Sequence, residues 1–270
     1  MPSIEQLLFY PIKSCKGCSA PQSNVSSYGL EHDRRFMVID AKNGVFFSQR
    51  TFPRLALVTA IAEGQHLKIR GPIDMSIAAS IKLPFRDGPI REVSVHKMPF
   101  SAHDQGDIVA DWFSVYLDHE CRVVAVSDQQ MRRRQHGELP FIISNHDSSP
   151  IHLITNSSLS SLNQELVRVN EKSVNFDRFR PNIVLKGVKN EFEEETWRAV
   201  RVGDILLQVR KPTGRCSITC VDQESGEISK EPLKTLARMR KTSGPVNFGV
   251  YLMPVTTGVI RVGDEVEILK

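Results

Sequence analysis

The stretch "TGRCSITCVDQESGE" (213–227) sets a cysteine, Cys216, directly after Gly214 and Arg215. A glycine allows close backbone approach, and a fixed cation favours thiolate over thiol. A thiolate there can be a nucleophile or a soft-metal ligand. A buried, inert cysteine is the alternative reading. Cys220 falls four positions on, the same face if the segment is a strand. The Cys-x3-Cys pair has no second pair at zinc-ligand spacing, so a closed zinc site is not expected.

Three further stretches carry groups suited to an anion. In "YPIKSCKG" (10–17), Lys13, Ser14 and Lys16 lie between Pro11 and Gly17, a turn able to offer an ammonium, a hydroxyl and backbone N–H groups. In "DRFRPNIVL" (177–185), the proline after Arg180 pushes that residue towards extended backbone and sets Asn182 on its side. A planar guanidinium beside an amide suits a phosphate or a flat polar heterocycle, and a surface ion pair with Asp33 or Asp177 is the plainer alternative. In "HDSSPIHLITNSSL" (146–159), Ser148 and Ser149 stand before a proline at the mouth of a strand. "HDRRF" (32–36) adds more cations.

The elements that must position these groups are mostly short alternating strands. The first part reads as strands at 4–12, 35–40, 44–50, 55–63, 66–71, 74–79 and 91–96, with Asn43-Gly44 a hairpin turn. A helix is expected near 105–118, with Ile108, Trp112, Val115 and Tyr116 on one face, followed by the strand "CRVVAVS". A second helix is expected at 157–169, with Asn156 or Ser157 as its cap and Leu159, Leu162, Leu166 and Val169 on one stripe. Strands return at 180–187, 197–209, 216–222, 247–255 and 258–269, with a short helix at 230–240. "RVGD" occurs twice, at 201–204 and 261–264, each a turn into a strand.

The chain has 270 residues, 40% hydrophobic and 24% charged, enough to bury a large core as one domain or two intimate ones. The net charge of +4 permits an anionic ligand without demanding nucleic acid, and the Arg132-Arg133-Arg134 run reads as a solvated loop or helix end. No apolar run is long enough for a membrane span, and the N-terminus does not read as a signal peptide. Five cysteines without an export signal point to free thiols and a cytoplasmic setting. There is no Walker A loop, GxGxxG or GxSxG, and the eight histidines form no metal or triad pattern.

Taken in order, "YPIKSCKG", "HDRRFMVID", "SPIHLITNSSL", "FRPNIVLKG", "VRVGDILLQV", "GRCSITCVDQESGE" with "KEPLKTLARMR", and "GVIRVGDEVEIL" resemble the MOSC proteins that carry an N-terminal β-barrel region. This group includes the bacterial YcbX proteins and the mitochondrial amidoxime-reducing components. The resemblance spans essentially the whole chain. It implies a mainly β fold with a few α-helices (α+β), a MOSC-type β-barrel packed with a β-rich N-terminal region. The implied domains, 1–120 and 121–270, are interlaced.

It also implies a molybdenum cofactor, the metal held by the dithiolene of a pyranopterin phosphate (molybdopterin), with Cys216 as the molybdenum ligand and catalytic residue. Lys13, Ser14, Arg35, Ser149 and Arg180 match family positions that contact the cofactor. Asp147 and Asn182 lie beside matched positions, and Arg215 would stabilise the thiolate. Relatives often have "CSRC" where this chain has Thr213-Gly214-Arg215-Cys216, so the upstream cysteine is not required as a ligand, and any contact at 214 is through backbone. The implied reaction is reduction of a small N-hydroxylated substrate, with a cofactor-carrier or sulfur-handling module as the alternative. Electrons would come from a [2Fe-2S] ferredoxin-type domain or protein and its reductase, because no cysteines here match C-x4-C-x2-C. A bacterial cytoplasmic protein is the expectation.

Overall fold

A computed structural model describes residues 1–72, 79–83, 88–136, 139–240 and 244–270. Among the described residues the fold is mainly β with three α-helices. Its largest sheet has eight strands. Their order is Cys18–Ala20, Ser3–Phe9, Ile183–Lys186, Ile151–Thr155, Asn247–Pro254, Ile205–Gly214, Ala199–Val202 and Glu267–Leu269. Ile151–Thr155 and Ile183–Lys186 pair in parallel, and the crossover between them carries a helix, Asn156–Arg168. The other ladders of this sheet are antiparallel. Backbone bonds from Ile4 to Asp264 and from Val266 to Pro2 draw the two ends of the sheet together. Ladder pairing does not close it into a barrel among the described residues.

A second sheet runs Phe36–Asp40, Cys121–Ala125, Met98–Asp104 and Ile90–Val95. Helix Asp107–Leu117 connects two of its strands and buries Val109, Trp112, Phe113 and Tyr116 against them. This apolar stripe is rotated from the expected one. Ile108 and Val115 point outward, 81% and 78% exposed. Each sheet has its own core: Ile12, Val38, Leu55, Ile69, Phe113 and Val123 on one side, and Ile4, Leu7, Leu153, Ile183, Leu207 and Leu252 on the other. The chain crosses from one core to the other between Leu7 and Ile12, and Lys13 follows at that seam.

Several local expectations are corrected. Residues 44–50 form no strand; Val45 and Phe46 make single bridges to Ser94 and Ile39. The Asn43-Gly44 turn exists, with Gly44 at φ +67° and so close to Glu92 that a Cβ would collide with its carbonyl oxygen. Residues 53–57 open the expected 55–63 strand as a 3-10 turn, Pro53–Leu57. Most of the strand expected at 74–79 lies outside the described residues. The cap of helix Asn156–Arg168 is Thr155, whose hydroxyl accepts from Ser158 N–H at 3.2 Å. Arg132–His136 is a strand, paired with Leu139–Ile143, not a loop or helix end. Residues 216–222 are not a strand either. The strand ends at Gly214, and Ser217–Cys220 is a 3-10 turn entered from Cys216.

Candidate functional site

The turn after Tyr10 is pinned from both sides. Lys13 N–H donates to Phe36 O at 2.8 Å and Cys15 N–H to Ile12 O at 3.1 Å, which leaves Ser14 at φ 71°. Lys13 is buried beneath it and donates to Asn145 O at 2.8 Å and Asp147 Oδ1 at 2.5 Å. Burial pulls the Lys13 ammonium below its ordinary pKa while Asp147 opposes the shift. Burial pushes the Asp147 carboxyl up, but Lys13 and His96 outweigh it and hold it well below the usual carboxylate range. His96 Nε2 sits 3.0 Å from the same oxygen. The turn between two strands, His96-Lys97, presents that ring, with positive φ at both residues.

A second group of cations surrounds Tyr10. Arg34 pairs with buried Asp33, and Asp33 also accepts from Tyr10 N–H at 2.7 Å and meets His146 Nε2 at 2.8 Å. Arg180 stacks on the Tyr10 ring at 4.2 Å and donates through Nη1 to Cys15 O at 2.7 Å. Its Nη2 is buried with no partner, and burial pushes the guanidinium pKa down to about 10. Arg180 is left-handed, at φ 53°, and not extended as its following proline suggested: it closes the 3-10 turn Phe176–Phe179. Neither Asp33 nor Asp177 forms an ion pair with it among the described residues.

Cys216 comes off the end of the longest ladder. Arg215 N–H donates to Val246 O at 2.7 Å, and Thr219 fixes the Cys216 carbonyl through its N–H and its hydroxyl, at 3.2 and 3.0 Å. The thiol is left exposed, with Arg50 Nη1 3.8 Å from Sγ. Arg215 donates through Nη2 to Phe179 O at 2.9 Å, its Nε has no partner, and burial lowers its pKa. Cys220 is buried, and no cluster of three or more His, Cys, Asp or Glu side chains placed to share a metal ion occurs among the described residues.

These groups meet in one cleft of about 250 Å³. It brings together Lys13, Ser14, Asp147, Arg180, Arg215 and Cys216 of the residues picked out by sequence. It does not include Arg35, Ser149 or Asn182. Arg35 lines a separate cavity of about 750 Å³, where it donates to Val126 O and pairs with Asp128, both at 2.9 Å. Its neighbour Arg34 faces the cleft instead. Ser149 is buried under Arg210, which donates to its hydroxyl at 3.1 Å. Asn182 is a bracket between strands: its amide donates to Leu8 O and accepts from His152 N–H, both at 3.1 Å.

The cleft also contains Arg50, His96, His152 and Tyr251, which no local sequence pattern singled out. Five of its lining residues are permanently cationic or ammonium groups, Lys13, Arg34, Arg50, Arg180 and Arg215, against the single lining carboxylate of Asp147. Two of the five are already matched, by Asp147 and Asp33. A cleft with surplus positive charge, unpartnered buried guanidinium nitrogens and an exposed thiol is built for a ligand that is anionic at one end and thiophilic at the other.

Comparison with known proteins agrees in class. The MOSC N-terminal beta barrel domain family matches residues 1–120 and the MOSC domain family residues 140–267. The chain is 34% identical to mitochondrial amidoxime reducing component 2 of Rattus norvegicus, across 98% of this chain and 82% of that protein. It is 30% identical to mitochondrial amidoxime-reducing component 1 of Homo sapiens, across 99% and 83%. It is also 30% identical to the molybdenum cofactor sulfurase of Homo sapiens, across 93% of this chain but only 30% of that protein.

Proposed function

The chain belongs to the MOSC family, in the group that carries a MOSC N-terminal β-barrel domain ahead of the MOSC domain, and from that membership we propose that it is a molybdenum-cofactor-dependent reductase of N-hydroxylated compounds. The observation that carries the reading is the exposed Cys216 thiol in the same cleft as the unpartnered guanidinium nitrogens of Arg180 and Arg215. The residues fit the group. Cys216 would hold the metal, while Lys13, Ser14, Arg34, Arg180 and Arg215 would hold the pterin and its phosphate. When bound, the cofactor supplies the two-electron chemistry that takes oxygen from an N–OH group.

The remaining work falls to the chain. Reduction of an N-hydroxy compound consumes two electrons and two protons and releases water. His96 Nε2, held by Asp147 at the cleft, is the residue to hold one of those protons. Arg50 Nη1 stands 3.8 Å from the Cys216 sulfur and would offset the charge of a metal-bound thiolate there. The electrons would come from a [2Fe-2S] ferredoxin-type partner.

A second reading, a cofactor-carrier or sulfur-handling module, is favoured by the similarity to the sulfurase. Turnover separates the two. Cofactor-loaded protein, given reduced methyl viologen and benzamidoxime, is expected to form benzamidine. Bound pterin and molybdenum with no benzamidine would replace the reductase by the carrier.

A further inference from the structure

Beside the Cys216 cleft lies a trough of about 680 Å³, and Asp147 lines both. That volume suits a small-molecule ligand. One wall is the hairpin of Arg132–His136 with Leu139–Ile143, which contributes Arg133, Arg134 and Phe141. The facing wall is Arg210, on the strand that leads to Cys216. The register of that strand slips between Val209 and Lys211, so Arg210 is the extra residue of a bulge. A bulge re-aims a side chain out of the alternation, and here it sets the guanidinium 5.1 Å over the Phe141 ring. Arg210 Nη1 donates to Ser148 Oγ at 2.8 Å and to Ser149 Oγ at 3.1 Å, so it is fixed in place by neutral partners and, among the described residues, forms no ion pair. Asp147, the carboxylate of the trough lining, is already engaged by Lys13 and His96. Arg133 is exposed to solvent at the lip.

We propose that this trough binds an oxyanion, carboxylate or phosphate, carried by the substrate, so that the protein prefers acidic N-hydroxylated compounds over neutral ones. The proposal rests on the reductase reading. It follows from the shared Asp147 edge: a substrate whose N–OH group lies in the cleft can extend its other end between Arg133, Arg134 and Arg210. Guanidinium–oxyanion contacts of this kind are charge-assisted and bidentate.

The test compares 4-carboxybenzamidoxime with benzamidoxime, by isothermal titration for affinity and by steady-state turnover for KM. The wild-type holoprotein is expected to bind the carboxylate about tenfold or more tightly at low salt, with the advantage shrinking as salt rises. Arg133→Gln and Arg210→Gln are each expected to cut that preference severalfold, and Arg133→Lys to retain most of it. Equal affinity for the two compounds, or a preference unchanged in both glutamine variants, overturns the proposal. So does loss of pterin from Arg133→Gln, which would give the trough to the cofactor phosphate. Tighter binding of the carboxylate without turnover supports the trough and removes the reductase reading alone.

Discussion

Arg180→Met separates a ligand receptor from a structural pillar. The side chain is buried, and burial depresses its pKa well below the ordinary guanidinium value, to about 10, which corresponds to roughly 3 kcal/mol of cost for keeping the charge. Methionine is of similar length and removes that cost. Against the gain stand two losses. Cys15 O loses its charge-assisted donor, about 1–3 kcal/mol, and the Tyr10 ring loses its stacked cation, about 1–2 kcal/mol. The opposing terms nearly cancel. Urea denaturation of the cofactor-free variant is therefore expected to fall within about 2 kcal/mol of wild type. Cofactor retention is expected to suffer far more, because each lost charge-assisted bond of about 1.5–3 kcal/mol weakens binding tenfold or more. Pterin and molybdenum retained through gel filtration give the second readout. A variant that loses more than about 4 kcal/mol of stability yet keeps its cofactor would show that Arg180 braces the fold and nothing else.

Asp33→Asn leaves the largely buried Arg34 without its counter-charge and should cost about 3 kcal/mol in urea denaturation. Because the folded Asp33 carboxyl is held at about 2 against 3.8 unfolded, its contribution is present above pH 4 and fades as pH falls towards 2; an Asn variant with an unchanged acid limb would refute this. Glu194 has the opposite sign: burial raises its carboxyl to about 7, so the folded state keeps a proton that the unfolded state releases near 4.5. Stability should drop by about 2–3 kcal/mol between pH 4.5 and 7 in wild type and not in Glu194→Gln, and parallel pH curves would contradict the assignment. Gln49 and Gln223 exchange amide hydrogen bonds at 3.1 and 3.0 Å, and Gln49 also donates to Ser14 O at 2.8 Å. Gln49→Leu should therefore cost about 2–4 kcal/mol, with Gln49→Leu/Gln223→Leu less than the sum of the singles; strict additivity would deny the coupling.

Most of the strands, both longer helices and the Cys216, Lys13, Ser14 and Arg180 group are legible because alternation and short motifs are local. What escaped is set by contacts distant in sequence. Arg34 and Arg35 are adjacent and chemically identical; pairing with Asp33, itself held under Tyr10 N–H, keeps the first at the cleft, while Val126 O and Asp128 hold the second in a separate cavity. Arg50 and His96 close two runs that read as strands, 44–50 and 91–96, but the first forms no strand and His96 sits in a left-handed turn past Val95, so alternation gives neither side chain its direction. Cys216 lies in an alternating run that promised a strand, but Arg215 N–H donates to Val246 O at the end of the ladder, and the chain then turns. Helix Asp107–Leu117 has apolar residues on two overlapping stripes, and the sheet beneath it selects the one through Val109 and Phe113.

The proposed function rests on the Cys216 sulfur as the protein's hold on molybdenum. Its most direct measurement is elemental analysis of purified wild type and Cys216→Ala, each paired with pterin fluorescence after denaturation and oxidation. Because the side chain is exposed, the variant should fold as wild type does. Close to one molybdenum per chain in wild type, lost in the variant, is the predicted result. A folded Cys216→Ala protein that keeps its full complement of metal would contradict the account.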